Sequence, residues 1–505
     1  MNLRIWARAA FLSALAYACC LPAPAVAVSP HIVIDTSGTA ANAPLRGRML
    51  IFIAAAKGKT IPKKLEPGFV ASDVELIGFD VDSAAGSSIT VPTDAAAFPK
   101  ALASLKDGTY DMQAVLDRRR MYTYNGLGDG DPYSIVERVR IAAGKPVHIA
   151  LSKRVTDPDP VSTASVKVFA VRSEALSAFY HRPFVLHAGV LLPPGYDSRN
   201  RYPIVYSMSG FGGTWRGAFR MQKLQPMMER DGLHAIIVVT DSSGPTGIAE
   251  WADSATNGPW GRALTHDLIP AVEKAYPAYG DAAHRFLWGH SSGGWATLWT
   301  QVTYPGTFGG CWSSSPDPVD FHDFTGPNLV DAQLDNAFTD KYGHPWQLVR
   351  MGDKNVFTLK DFVQSSDVLG YRSSQFGSFD AVFSQAGPDG KPMPLFDRKT
   401  GAIDPAVAAY WEEHYDIASK IEREWRNLGA GLTNKIHIAV GTLDTFHLER
   451  GVLRLDARMR RLGVTPDITY FPGASHFSLF QPDTGFEGFH WAFRGIAKAA
   501  KNAGT

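Results

Sequence analysis

Apolar and polar positions are arranged differently on the two sides of residue 171. Before it, short alternating stretches recur between turns at 31–35, 48–53, 80–82, 109–115, 135–141 and 147–151, and helical periodicity is almost missing. Period-two alternation with frequent turn residues predicts a β-sandwich-like domain over 28–171, with one short helix at 95–104. After it, continuous apolar runs at 202–208, 235–240, 284–288, 308–312, 435–441 and 467–471 read as strands buried on both faces. Between them lie amphipathic stretches: 264–276, the Trp295, Leu298, Trp299, Val302 series, the Trp411, Ile417, Ile421, Trp425, Leu428 series, and Val452, Leu455, Met459, Leu462. Strands alternating with helices predict an α/β fold with a mainly parallel sheet over 172–505. The alternation breaks at 319–403, where turn markers such as Gly387-Pro388-Asp389-Gly390 accumulate, and this stretch reads as a lid-like insertion or, alternatively, a surface decoration.

The strand at 284–288 runs into Gly289-His290-Ser291-Ser292-Gly293 and then directly into a helical pattern. Small residues around the serine allow a sharp strand-to-helix bend that lifts its hydroxyl above the sheet, the nucleophile elbow of an α/β-hydrolase fold. The remaining groups needed for acyl transfer follow in the required chain order. Asp444 stands beyond the strand at 435–441 and His476 beyond the strand at 467–471. A carboxylate there would orient the imidazole, which in turn would take and return the serine proton. His290, His437 and His447 compete with His476, and Asp241, Asp317 and Asp320 compete with Asp444. The glycine-rich loop Ser209-Gly210-Phe211-Gly212-Gly213 follows an early strand, so the backbone N–H groups of Phe211 and Ser292 are the expected oxyanion donors, with Gly210 or Gly212 as substitutes for the first. Trp215, Trp251 and Trp260 lie in loops near strand ends and are candidates for an aromatic or sugar platform. No spacing of His, Cys and acidic residues matches a metal site, the Gly/Asp cluster at 126–132 lacks the ligand spacing of a calcium loop, and no phosphate-cradling loop with its lysine is present; no cofactor is expected.

Charge and termini narrow the setting. Fifty basic against 49 acidic residues in 505 leave a net charge of +1, which gives no reason to expect nucleic acid or an anionic membrane as partner. A small-molecule or glycan-linked ester substrate fits better. Arg4 and Arg8, an apolar run over 9–21 and small residues up to Ala27 have the form of a cleaved signal peptide over 1–27, so a periplasmic or secreted location is expected, with no stable membrane insertion after cleavage. Cleavage would remove Cys19 and Cys20 and leave Cys311 as the one thiol, so no internal disulfide is expected. Oligomeric state is not legible.

Taken together, Leu191-Leu192-Pro193-Pro194-Gly195-Tyr196, Tyr202-Pro203-Ile204-Val205-Tyr206, the 209–213 loop, His266-Asp267-Leu268-Ile269-Pro270, Gly289 to Gly294 and Pro472-Gly473-Ala474-Ser475-His476-Phe477 resemble the Putative esterase family of α/β-hydrolases, over about residues 180–495. The resemblance implies a serine hydrolase of carboxylic esters or thioesters, with Ser291, Asp444 and His476 on the triad positions and Phe211 and Ser292 on the oxyanion positions. Many members have His-Gly where this chain has Ser209-Gly210. The function expected is that of an exported serine esterase forming an acyl-enzyme on Ser291. An acyltransferase using a sugar or lipid hydroxyl, a peptidase, and a non-catalytic carbohydrate-binding protein on a hydrolase scaffold are the alternatives.

Overall fold

The computed structural model describes residues 30–39, 44–67, 73–84, 86–331, 336–481 and 484–503. The expected signal peptide, with Cys19 and Cys20, lies outside them. Cys311 is a buried free thiol, and its burial pushes its pKa up to about 12. Among the described residues no helix is long and apolar enough to cross a membrane.

Eight strands form the central sheet, in the order Val166–Arg172, Val185–Leu191, Ile236–Thr240, Ile204–Met208, Arg285–His290, Gly310–Ser314, Ile436–Gly441 and Asp467–Phe471. The first three pair antiparallel and the rest parallel. Each parallel crossover carries helices, so both faces of the middle strands are covered, which is why they read as unbroken apolar runs. Within Ile204–Met208 the side chains alternate between two cores. Ile204, Tyr206 and Met208 join one with Leu287, Trp295 and Leu298; Val205 joins the other with Phe286, Trp288, Phe493 and Ile496. The strand Val166–Arg172, expected in the N-terminal part, instead pairs along its whole length with Val185–Leu191 and forms the edge of this sheet.

Residues 32–154 form a seven-stranded sheet and a three-stranded sheet. Ile32, Ile34 and Ile149 of the smaller one pack in one core with Met49, Ile51 and Ile53 of the larger. The expected helix at 95–104 is instead a strand, Ala96–Phe98, and one 3-10 turn, Leu102–Ser104. Pro99 accounts for this, because its ring disfavours helical geometry at Phe98, and Ala96 to Phe98 finds ladder partners in Leu76 to Gly78.

The stretch between the strands Gly310–Ser314 and Ile436–Gly441 is more structured than its turn markers implied. It holds the hairpin of Gln347–Met351 with Lys354–Thr358, and the helices Leu359–Gly370 and Gln375–Phe383. In Leu359–Gly370 the apolar stripe Leu359, Phe362, Val363 is continued by buried Ser366, which weakens the pattern. In Gln375–Phe383 every residue from Phe376 to Phe383 is buried, so no polar face exists to reveal a period. Thr358 caps the first helix by accepting from the Asp361 N–H at 3.1 Å, and Ser374 caps the second through the Gly377 N–H at 2.9 Å.

Helix Leu359–Gly370 also explains why Met49 to Ile53 is buried without alternation. Its Val368 and Leu369 pack on the outer face of the seven-stranded sheet against Leu50, Phe52, Leu76 and Val115. Arg48 donates from Nε and Nη2 to the Val368 carbonyl at 3.1 and 2.8 Å, satisfying a group at the helix C-terminus. That carbonyl lies directly over Gly78, where any Cβ would collide with it. Gly78→Ala is therefore expected to lift the helix off the sheet and cost about 1–3 kcal/mol, the range for overpacking. Chemical denaturation checks the loss, and hydrogen exchange should place the new exposure in 359–370.

Candidate active site

Ser291 connects the strand Arg285–His290 to the helix Ser292–Thr303 with φ 60° and ψ −128°, a backbone state that L-residues rarely occupy. Its neighbours force the bend. A Cβ on Gly289 would overlap the Gly293 carbonyl, and one on Gly293 would overlap the Met208 carbonyl of the adjacent strand, so helix and sheet approach at a distance only glycine permits. The turn is pinned by the Ser291 N–H donating to Ser314 O at 3.0 Å and the Ser291 carbonyl accepting from Gly294 and Trp295 N–H at 2.7 and 3.0 Å.

His476 and Asp444 come from the loops after the last two strands and meet as a buried pair, His476 Nδ1 to Asp444 Oδ2 at 2.9 Å. The second oxygen, Asp444 Oδ1, accepts the Phe446 N–H at 2.9 Å. Burial alone would neutralise Asp444, but the charge of His476 and these hydrogen bonds outweigh it and hold the carboxyl below its ordinary range. A carboxylate fixed on Nδ1 leaves Nε2 as the nitrogen able to accept a proton. His476 and Ser291 line one cavity of about 130 Å3.

Phe211 follows the strand Ile204–Met208 and lines that cavity as well. Gly210 lies against the His290 carbonyl and Ser291, so the 209–213 loop is seated on the elbow. Ser292 is the first residue of its helix, where backbone N–H groups have no intrahelical acceptor and the helix dipole favours negative charge. Its hydroxyl is occupied elsewhere, donating to Asp317 Oδ2 at 2.6 Å.

The competing residues have other partners. Asp241 accepts from the N–H groups of Ser243 and Trp215 at 2.9 and 3.2 Å; Asp320 pairs with Arg458 at 3.3 Å and His322 at 2.7 Å. His437 pairs with Asp467 at 2.5 Å and stacks on Trp312. Burial and the nearby cations Arg450 and Arg350 push His447 down to about 4. Asp317 is the near miss: it lines the cavity, but Ser292 and Gln375 hold it rather than His476.

The three tryptophans offered as a platform are packed away from this cavity. Trp251 and Trp260 are core residues in edge contact with each other, and Trp215 is buried and stacked on His187. Their loops fold back over the sheet, so proximity to strand ends in sequence did not become exposure. The cavity's rings are phenylalanines instead: Phe211, Phe362, Phe376, Phe379, Phe446 and Phe477. Three of these, with Thr325, Leu348 and Gln375, belong to the inserted stretch. Gln375 Nε2 donates to Asp317 at 3.1 Å, carrying the insertion to the residue beside the elbow. Sequence reasoning missed these residues because nothing in a loop-rich stretch distinguishes a lining phenylalanine from a core one.

One cluster of possible metal ligands occurs among the described residues, Asp320, His322 and Asp416. Its oxygens are already engaged: Asp416 accepts the N–H groups of Phe321 and Ser419 at 2.7 and 2.8 Å as a helix cap, and Arg458 supplies the compensating charge to Asp320. The donor set suits a structural junction rather than a cation.

A strained serine at a strand–helix turn above a mainly parallel sheet, beside a carboxylate-bound histidine, is the arrangement of the serine α/β-hydrolases. The family model described as Putative esterase matches residues 185–476, and the chain belongs to that family. Among solved structures, it is similar to a ferulic acid esterase at 14% identity, covering 67% of this chain and 99% of that one with a TM-score of 0.39. An S-formylglutathione hydrolase from Agrobacterium tumefaciens is 16% identical, covering 68% of this chain and 96% of that one with a TM-score of 0.36. A probable dipeptidyl-peptidase 5 of Emericella nidulans is 27% identical over 137 residues, which is 24% of this chain and 19% of that protein. The chain thus spans about a fifth of the length of such curated relatives.

His290 packs against the rings of His476 and Phe480 and is pushed down to about 3 by burial and by the neighbouring His476. The unfolded chain takes up a proton at this residue below about pH 6.5, whereas the folded chain does so only near 3. The resulting stability is fully present above pH 6.5 and is lost as pH falls. His290→Gln should therefore flatten the fall in denaturation midpoint between pH 7.5 and 4; an unchanged profile would contradict a neutral His290.

Proposed function

We propose that this chain is an exported esterase that works through an acyl-enzyme on Ser291. The observation that carries the reading is that His476, bound to the buried Asp444, shares a cavity with the strained Ser291. In this reading His476 Nε2 takes the Ser291 proton as Oγ attacks the ester carbonyl. The oxyanion is received by the backbone N–H groups of Phe211 and Ser292. His476 then protonates the departing alcohol, and water, activated by the same imidazole, releases the acid. Asp444 stays charged throughout and fixes the histidine tautomer, consistent with its lowered pKa.

The inserted stretch acts as a cover over the site, and the sheets within residues 32–154 form a β-domain against which that cover leans. The signal peptide over 1–27 would deliver the chain to the periplasm or the exterior. The ring-lined cavity supports an apolar acyl or aryl group beside the scissile bond, and no metal or organic cofactor takes part in the proposed steps.

Incubation with a fluorophosphonate should label Ser291, identified by mass spectrometry, and Ser291→Ala should abolish the label. Turnover of 4-nitrophenyl acetate should fall by about 10³-fold or more in Ser291→Ala. Asp444→Asn, which keeps the shape but favours the wrong tautomer, should cost about 10³–10⁴-fold. Retained turnover in Ser291→Ala, with folding verified by circular dichroism, would refute the assignment.

A further inference from the structure

The cavity at Ser291 is small, yet a much larger one, about 820 Å3, lies next to it, and the function proposed above gives it no task. Its walls come from several places, the loop of Lys63, Lys64, Leu65, Glu66 and Pro67 among them. The seven-stranded sheet and the loop after it supply Phe52, Val115, Tyr122 and Tyr133. The inserted helix Leu359–Gly370 supplies Phe362 and Leu369, and the oxyanion loop supplies Phe211. Phe211 and Phe362 line both cavities, so the two spaces meet at those rings. Phe211 is held by an edge contact with Tyr124, whose hydroxyl donates to the Gly213 carbonyl at 2.9 Å, so the N-terminal part touches the oxyanion loop directly.

The direction of the substrate follows from the proton path. His476 must deliver a proton to the leaving oxygen, so the alcohol departs on the side of that ring. There a recess of about 260 Å3 adjoins the Ser291 cavity, lined by Trp288, His290, His476 and Phe477 and, like that cavity, by Phe211 and Ser291. Among the described residues, the walls of the large cavity include neither His476, Phe446 nor Phe477, and it borders the site at Phe362, which the recess beside His476 does not share. The part of the ester that extends toward it is the acyl part. Rings and aliphatic side chains make up somewhat more than half of its walls, beside the exposed Lys63, Lys64 and Glu66, and the apolar surface withdrawn from water there favours a hydrocarbon occupant.

We infer that the large cavity between the N-terminal sheet and the helix Leu359–Gly370 is the binding site for the distal part of a long apolar acyl group, whose carbonyl end lies at Ser291. This rests on the esterase reading for the position of the carbonyl. It gives the N-terminal domain a role in choosing substrates by acyl length, in addition to any structural one.

Ser365, half-buried on the inserted helix, faces the cavity, and Thr156 stands on its exposed rim on the opposite side. Ser365→Trp and Thr156→Trp each place an indole in the space, and neither residue is itself part of the Ser291 cavity lining. The readout is the ratio of kcat/KM for 4-nitrophenyl dodecanoate to that for 4-nitrophenyl acetate. The wild-type protein should prefer the long ester, and each variant should lower the ratio by about tenfold, the scale of losing a few methylene contacts in an apolar pocket. No preference in the wild type, or a ratio within about twofold of wild type in both variants, overturns the inference.

A second readout does not depend on turnover. Dodecanoate, titrated below its micelle threshold into Ser291→Ala and into the doubly substituted Ser291→Ala with Ser365→Trp, should bind the first about tenfold more tightly. Equal affinities overturn the acyl site. Tight binding with this difference, in a protein that hydrolyses no ester, would instead remove the esterase reading and leave the cavity's occupant standing.

Discussion

The site depends on the contact between the start of the helix Ser292–Thr303 and the strands beneath it. Gly289 and Gly293 let backbone meet backbone where no side chain fits, and that contact leaves Ser291 the one residue that must take the strained bend. Everything else in the site is placed relative to this point. The 209–213 loop rests on it through Gly210, the Ser314 carbonyl holds its N–H, and the histidine and aspartate loops descend from strands in register with it. Strain at the serine is sustained because the sheet on one side and the helix on the other are both fully packed.

Electrostatics around the elbow are sorted by solvation and contact. Two carboxyl groups, Asp444 and Asp317, are buried close to His476, yet they move in opposite directions. Asp444 has the imidazole as direct partner and remains charged; Asp317 has only hydroxyl and amide donors, and its loss of water raises its pKa. Glu250, fully buried, is raised further by desolvation and by the proximity of Asp317. One anion therefore faces the histidine while its neighbours shift toward neutrality. Histidine shows the same division, since burial and the neighbouring His476 keep His290 neutral.

What could be read from the chain was whatever depends on local pattern. The parallel strands announced themselves because burial on both faces leaves no polar positions, and Ser291, Asp444 and His476 stood out because each follows such a strand. The pairing of Asp444 with His476 rather than Asp317 was legible only as a choice, since both acids follow strand ends and three-dimensional reach decides between them. The inserted helices were hidden for opposite reasons: Leu359–Gly370 carries a serine in its buried stripe, and Gln375–Phe383 has no exposed face. Trp251 and Trp260 misled because ring-bearing loop residues look alike whether they turn outward to a ligand or inward to a core. The edge strand Val166–Arg172 was assigned to the wrong side of the boundary because an antiparallel edge has the same alternation as a sandwich strand.

Helix Leu359–Gly370 has one consequence for how sequence change is tolerated here. Its two flanks serve different masters, Val368 and Leu369 lying on the N-terminal sheet while Phe362 stands at the entrance to the cavity containing Ser291. A substitution in Leu50 or Phe52, far from any reacting atom in sequence, alters the seat of a rigid rod whose other flank borders the chemistry. The N-terminal sheet therefore cannot drift as an independent accessory would. Its core and the Ser291 cavity must vary together, and a pair of such chains that exchanged N-terminal sheets would have to exchange this helix as well.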